Sequence, residues 1–117
     1  MTLPTRGEVW WCELDPTRGS EIQKTRPAVV ISSPVFDALA MRIIVPLTSW
    51  QPRFATQLNK VFVKATATNG LPNDSAADFL QVRAVSLDRL KDRVGRLDAT
   101  VIDDIAAGIA IAIEYRP

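Results

Sequence analysis

The chain has 117 residues, 47% of them apolar, with 14 Lys and Arg against 13 Asp and Glu. That is the size of a single globular domain, 1–117, which buries a core without disulfides or metals, and a near-neutral balance excludes a uniformly basic nucleic-acid binder, leaving only a local patch for such a partner. With no histidine and one cysteine, histidine acid–base chemistry, the triads built on it, the usual zinc sites and any internal disulfide are excluded.

The start, MTLPTRGE, has neither the cationic end nor the apolar stretch of a signal peptide, and no apolar run reaches membrane-spanning length. A lone Cys12 fits a reducing compartment, so a cytoplasmic protein with no membrane partner is expected. EVWWCEL, Glu8 to Leu14, reads as a strand with Trp10 and Trp11 on opposite faces, one packed inward and the other outward. Next comes DPTRGSEIQKTRP, Asp15 to Pro27, whose thirteen residues are many for a simple chain reversal. Gly19 lets backbone approach a ligand closely, and Ser20 beside it offers donors for a phosphate oxygen. Arg26 precedes Pro27 and is therefore held extended. A planar, permanently charged fork leaving a strand in a fixed direction suits phosphate recognition. The same loop also reads as a solvated charged surface with an internal Glu21–Arg26 or Asp15–Arg18 pair.

PAVVIS, Pro27 to Ser32, and MRIIVPLT, Met41 to Thr48, are two more short apolar strands. Pro46 has no N–H to give, which predicts an edge strand or a bulge there, with Thr48 and Ser49 free of regular pairing at its end. The plainer alternative is a simple strand end. TSWQPRF, Thr48 to Phe54, sets two hydroxyls before Trp50, Arg53 and Phe54. That pattern suits base stacking beside a backbone contact, and equally suits aromatics folded back onto the core. VFVKA, Val61 to Ala65, and FLQVRAV, Phe79 to Val85, read as strands, with ATNGLPNDSA between them as a turn region. Gln81 and Arg83 then share one strand face, which lines a site if that face borders the first loop. A helical turn capped by Ser86 and a last short strand, Asp92 to Leu97, follow. From Asp98 as N-cap, Val101, Ile102, Ile105, Ile109, Ala112 and Ile113 recur at helical spacing, which predicts one amphipathic helix of about 16 residues. Short strands followed by a terminal helix make a mainly β fold, a small twisted barrel or curled sheet with the helix packed against it.

Taken in order, RGEVWWCELDPTRGSEIQKTRPAVVIS, VPLTS, LQVRAVSLDRL and the strand before the last helix resemble the MazF/PemK family of toxin endoribonucleases from bacterial toxin–antitoxin pairs. The Gly-Ser-Glu…Arg-Pro segment is the specific part of that match. The resemblance implies a small, partly open β-barrel of the CcdB/PemK/MazF type with a C-terminal helix, acting as a homodimer. It also implies cleavage of single-stranded RNA at short sequences without a metal or cofactor. The ends left are a 2′,3′-cyclic phosphate or related 3′-phosphate and a 5′-hydroxyl, and a cognate antitoxin blocks the groove. The family's catalytic arginine matches Arg26, its catalytic threonine Thr48 and its loop glutamate Glu21. Gln81 matches a glutamine associated with RNA binding in some members.

Chemistry agrees with those roles. Arg26 suits stabilising charge at phosphorus and donating a proton, since an arginine side chain is not deprotonated in proteins and so makes a poor general base. Thr48 donates to a non-bridging oxygen, and Glu21 serves as base or orients Arg26. Arg18, Gly19, Ser20, Lys24, Ser49, Trp50, Arg53, Gln81 and Arg83 are the expected RNA-binding residues. One departure stands out: where the Kid-type branch carries an Arg-x-Asp pair before the glutamine, this chain has Asp78 and Leu80, so that dyad is absent. Two competing readings are a CcdB-like toxin that poisons DNA gyrase by protein binding, and an inactive relative that only binds RNA or antitoxin. The first lacks its Trp-Gly-Ile tail here, where the chain ends Glu114-Tyr115-Arg116-Pro117.

Overall fold

The computed structural model describes residues 2–116. Seven strands precede one helix: β1 (Glu8–Glu13), β2 (Thr25–Val30), β3 (Met41–Ser49), β4 (Lys60–Val63), β5 (Ser75–Asp78), β6 (Arg83–Ser86), β7 (Leu90–Arg96) and α1 (Ala99–Ala112). The strands form one antiparallel sheet in the order β4-β5-β3-β2-β1-β7, with β6 beside the first half of β3. Among the described residues β4 and β7, at the two ends, do not pair, so the sheet curls without closing. This is the expected partly open barrel with a terminal helix.

Both faces of the sheet are covered. Val9, Val29, Val45 and Leu47 pack with Ile102 and Ile105 of α1 on one side. Trp10, Cys12, Ala28, Val30 and Ile44 pack with Leu14, Val85 and Leu90 on the other. Successive side chains of a strand point to opposite faces, so two covered faces require the unbroken apolar runs read in the sequence. Trp10 is buried and Trp11 half-exposed, in line with their expected opposite faces. Inside α1, a Cβ on Gly108 would sit 2.6 Å from the Phe79 ring, so glycine, a poor helix former, is what lets the helix close onto the turn that carries Gln81.

Several expectations are corrected. Pro46 is not on an edge strand, for β3 pairs on both sides. Its ladder with β6 ends at Ile44–Arg83 and its ladder with β5 begins at Leu47–Ala77, and Pro46 falls in the gap between the two. Thr48 and Ser49 are regularly paired, opposite Ala76 and Ser75. The predicted strand 79–85 divides into a 3-10 turn, Phe79–Gln81, and the short β6, while β5 begins in the last two residues of the predicted turn region, 67–76, and runs on to Asp78. Ser86 occupies the N-cap of the 3-10 turn Leu87–Arg89, and Asp98 that of α1, but neither side chain makes a capping bond. The helix stops at Ala112, and Ala112 and Ile113 are exposed rather than on the packed stripe.

Arg42 is 1% exposed and donates to the carbonyls of Pro4, Leu39 and Met41, each at 2.8 Å. Those bonds satisfy a buried guanidinium and pin the 33–41 segment. That segment leaves Val35, Phe36 and Leu39 exposed, next to Met41 and Ile43 of β3. Among the described residues no helix is long and apolar enough to cross a membrane.

Candidate functional site

The loop between β1 and β2, residues 14–24, is an ordered wall. Leu14 N donates to Lys24 O at 2.9 Å and closes its base. Arg83 Nη1 donates to Leu14 O at 3.1 Å, and Arg89 Nη1 to Glu13 O and Asp15 O at 2.8 and 2.7 Å. Within the loop, Glu21 accepts from Arg18 N at 2.5 Å, which ties a tight turn through Gly19 and Ser20. Gly19 takes φ +56°, with open space where a Cβ would lie. Lys24 takes φ +73°, a left-handed conformation that costs a non-glycine residue about 1–2 kcal/mol.

Arg26 and Pro27 begin β2 as expected. Arg26 as a residue is half-buried, and its Nε donates to Gln23 O at 3.3 Å at the exposed edge. Among the described residues it has no carboxylate within ion-pair distance, and neither the Glu21–Arg26 nor the Asp15–Arg18 pair forms. Glu21 therefore does not orient Arg26 in this structure. Its carboxylate is engaged by the backbone of its own turn. Arg26, Thr48 and Ser49 line one cavity of about 170 Å³, with Trp11, Asn73 and Ser75 completing it. Thr48 also lines the next cavity, about 680 Å³, together with Ser20, Arg53, Lys60 and Gln81. Gln81 and Ser20 in turn line a third, about 560 Å³, with Glu21 and Arg83. Shared walls make the three cavities one groove running from Arg26 past Thr48 to Arg83.

The structure brings the predicted residues together but changes how three are used. Trp50 and Phe54 fold back: Phe54 is buried, and Trp50 meets the rings of Phe54 and Phe62 edge-on at 5.7 and 5.0 Å. Arg53 lies 5.4 Å over the Phe54 ring, a cation–π position that leaves its charge at the groove rim. Gln81 and Arg83 do not share a strand face, since one lies in the 3-10 turn and the other in β6, yet both border the loop. Both ends of the Gln81 amide are engaged: Oε1 accepts from Ile22 N at 2.5 Å, and Nε2 donates to Ser20 O at 3.0 Å and Asp78 Oδ2 at 3.3 Å. Arg18 and Lys24 are exposed on the loop and, like Arg26, Arg53 and Arg83, have no carboxylate partner among the described residues.

Sequence reasoning missed Trp11, Lys60 and Asp78. Trp11 stands opposite Pro27, one residue from Arg26, so its place follows once the β1–β2 register is known. Lys60 and Asp78 are opposite one another on β4 and β5, and β5 carried no sequence signal. The sulfhydryl of Cys12 plays no part: it is fully buried, and burial pushes its pKa up, away from the reactive thiolate.

Comparison with known proteins places the chain in a family and matches its fold. A family model described as the PemK-like, MazF-like toxin of type II toxin–antitoxin systems matches residues 5–113. The chain is 32% identical over 119 residues to the endoribonuclease MazF9 of Mycobacterium tuberculosis, covering 93% of this chain and 95% of that one. The crystal structure of MazF from Deinococcus radiodurans has the same fold, with a TM-score of 0.81 at 19% identity over 97% of this chain and 99% of its own. A mycobacterial endoribonuclease in complex with its cognate antitoxin matches with a TM-score of 0.75 at 19% identity, over 97% and 98% of the two chains.

Proposed function

Because the chain belongs to the PemK-like, MazF-like family of type II toxin–antitoxin toxins, we propose that it is an endoribonuclease toxin. It cuts single-stranded RNA at short sequences without a metal, and a cognate antitoxin silences it. The observation that carries this reading is Arg26, a charged fork with no carboxylate partner among the described residues, in one cavity with the Thr48 hydroxyl. Its relative MazF9 is an endoribonuclease, and the mycobacterial structure holds its antitoxin, which supports both halves of the reading.

In this mechanism the ribose 2′-hydroxyl attacks the adjacent phosphorus in line and the 5′-oxygen leaves. The products carry a 2′,3′-cyclic phosphate and a 5′-hydroxyl. Charge grows on the non-bridging oxygens, where Arg26 and the Thr48 hydroxyl donate. Glu21 takes the 2′-hydroxyl proton once bound RNA draws it from its turn, and the 5′-oxygen is protonated from solvent with Arg26 donating to it. Arg18, Lys24 and Arg53 hold the neighbouring phosphates. The protein acts as a cytoplasmic homodimer, with the second copy seated on the apolar face of Val35, Phe36, Leu39, Met41 and Ile43. A continuous exposed patch of that kind marks an interface.

The test is incubation of the antitoxin-free protein with mixed-sequence single-stranded RNA in excess EDTA, beside Arg26→Ala, with the new ends mapped. Cuts at one short motif with cyclic-phosphate ends, absent in the variant, are the expected result. No cutting by the folded wild type over a broad set of sequences would overturn the reading.

A further inference from the structure

We propose that Lys60, Asp78 and Gln81 form a positioning relay that holds the β1–β2 loop in place over the groove, so that Gln81 acts on RNA through the loop rather than by touching it. Lys60 and Asp78 are cross-strand partners on β4 and β5. Their charged ends lie 3.3 Å apart, with side chains 10% and 5% exposed. Asn59 Nδ2 donates to the other carboxylate oxygen at 2.9 Å. A nearly buried ion pair adds little stability by itself, because desolvation offsets the attraction. What it fixes is direction.

An amide side chain has two orientations of nearly equal shape. Asp78 accepts and never donates when ionised, so the Nε2 end of Gln81 must face it. The oxygen end then faces the loop and accepts from Ile22 N, while the second N–H reaches Ser20 O. Glu21 lies between those two anchors, so its backbone is gripped on both sides. The effect on RNA rests on the function proposed above, but the hold on the loop does not.

The experiment is amide hydrogen exchange at Ile22 in the free protein, comparing wild type, Gln81→Leu and the double variant Lys60→Met/Asp78→Leu, which buries no lone charge. Gln81 is half-exposed, so its replacement leaves the core intact. Loss of the two loop bonds in Gln81→Leu, and of the bond that orients the amide in the double variant, accelerates exchange about tenfold or more in each. Raising the salt leaves wild-type exchange unchanged, since a nearly buried pair is little screened. For RNA, the KM of both variants rises about tenfold. Wild-type exchange in Gln81→Leu overturns the proposal, and wild-type exchange in the folded double variant removes Asp78 from it. A loosened loop in a protein that never cuts RNA upholds the relay and rejects the nuclease reading instead.

Discussion

Arg26 of β2 and Thr48 of β3 line one cavity. The two strands pair from Val30–Ile44 to Ala28–Pro46, and Arg26 and Thr48 lie two residues beyond that end of the ladder. Two donors on neighbouring strands are fixed by the sheet and need no rearrangement to meet a developing oxyanion. Arg26→Ala and Thr48→Val are each expected to lower single-turnover cleavage by about 10²–10³. Thermal stability is expected to stay within about 2–4 °C of wild type, because Arg26 makes only a long bond to Gln23 O. Cleavage by Thr48→Val at the wild-type rate would remove the hydroxyl from the mechanism.

Glu21→Gln separates two roles of that carboxylate. The amide keeps an oxygen for Arg18 N, so the turn survives, but it accepts no proton. The expected outcome is a fall in kcat of about 10²-fold or more with RNA affinity little changed. Equal kcat values would leave Glu21 as a turn residue only.

The apolar face of the 33–43 region predicts a dimer that charge disrupts. Ile43 is 43% exposed and belongs to neither buried cluster, so Ile43→Asp keeps the monomer's core. Sedimentation is expected to show a dimer for wild type and a monomer for the variant. A monomeric wild type at tens of micromolar contradicts the assignment.

Acid stability tests the other end of the sheet. Burial pushes the Glu8 carboxyl up, but hydrogen bonds from Thr5 N, Trp10 Nε1 and Arg93 Nε, with the charge of Arg93, outweigh it and hold the pKa below its ordinary 4.5. A carboxyl depressed in the folded state contributes stability that is full above its unfolded pKa and is lost as pH falls through the folded value. Urea midpoints of wild type and Glu8→Gln are therefore expected to differ by a constant amount from about pH 7 to 5, and to converge below 4.5. A gap that persists undiminished to about pH 2 would assign it to packing rather than charge.

Arg26 carries a local signal in the sequence, whereas Thr48 stood out only through the family resemblance. Arg-Pro announces a restrained strand start, and the unbroken apolar runs of β2 and β3 announce a sheet covered on both faces. β5 was not legible. Ser75, Ala76, Ala77 and Asp78 have poor strand propensity, and they form a strand because β3 and β4 supply partners on both sides. Gln81 and Arg83 read as one strand because nothing in FLQVRAV marks the 3-10 turn by which the chain passes from the β5 ladder to the β6 ladder along β3. The Lys60–Asp78 pair and the place of Trp11 depend on register between distant segments, which no single stretch encodes. Trp50 and Phe54 satisfied two patterns at once, and Phe62, exposed on β4, decided for folding back.

Stabilisation by Arg26 and Thr48 of attack by a ribose 2′-hydroxyl is probed with an RNA cut at a mapped site, compared with the same RNA carrying a single 2′-deoxyribose at the nucleotide 5′ to the scissile phosphate. Unchanged binding and no cut at that phosphate are expected. Cleavage of the deoxy-substituted strand at the normal rate, with a 5′-phosphate on the product, would show water rather than the 2′-oxygen attacking, and would contradict that role.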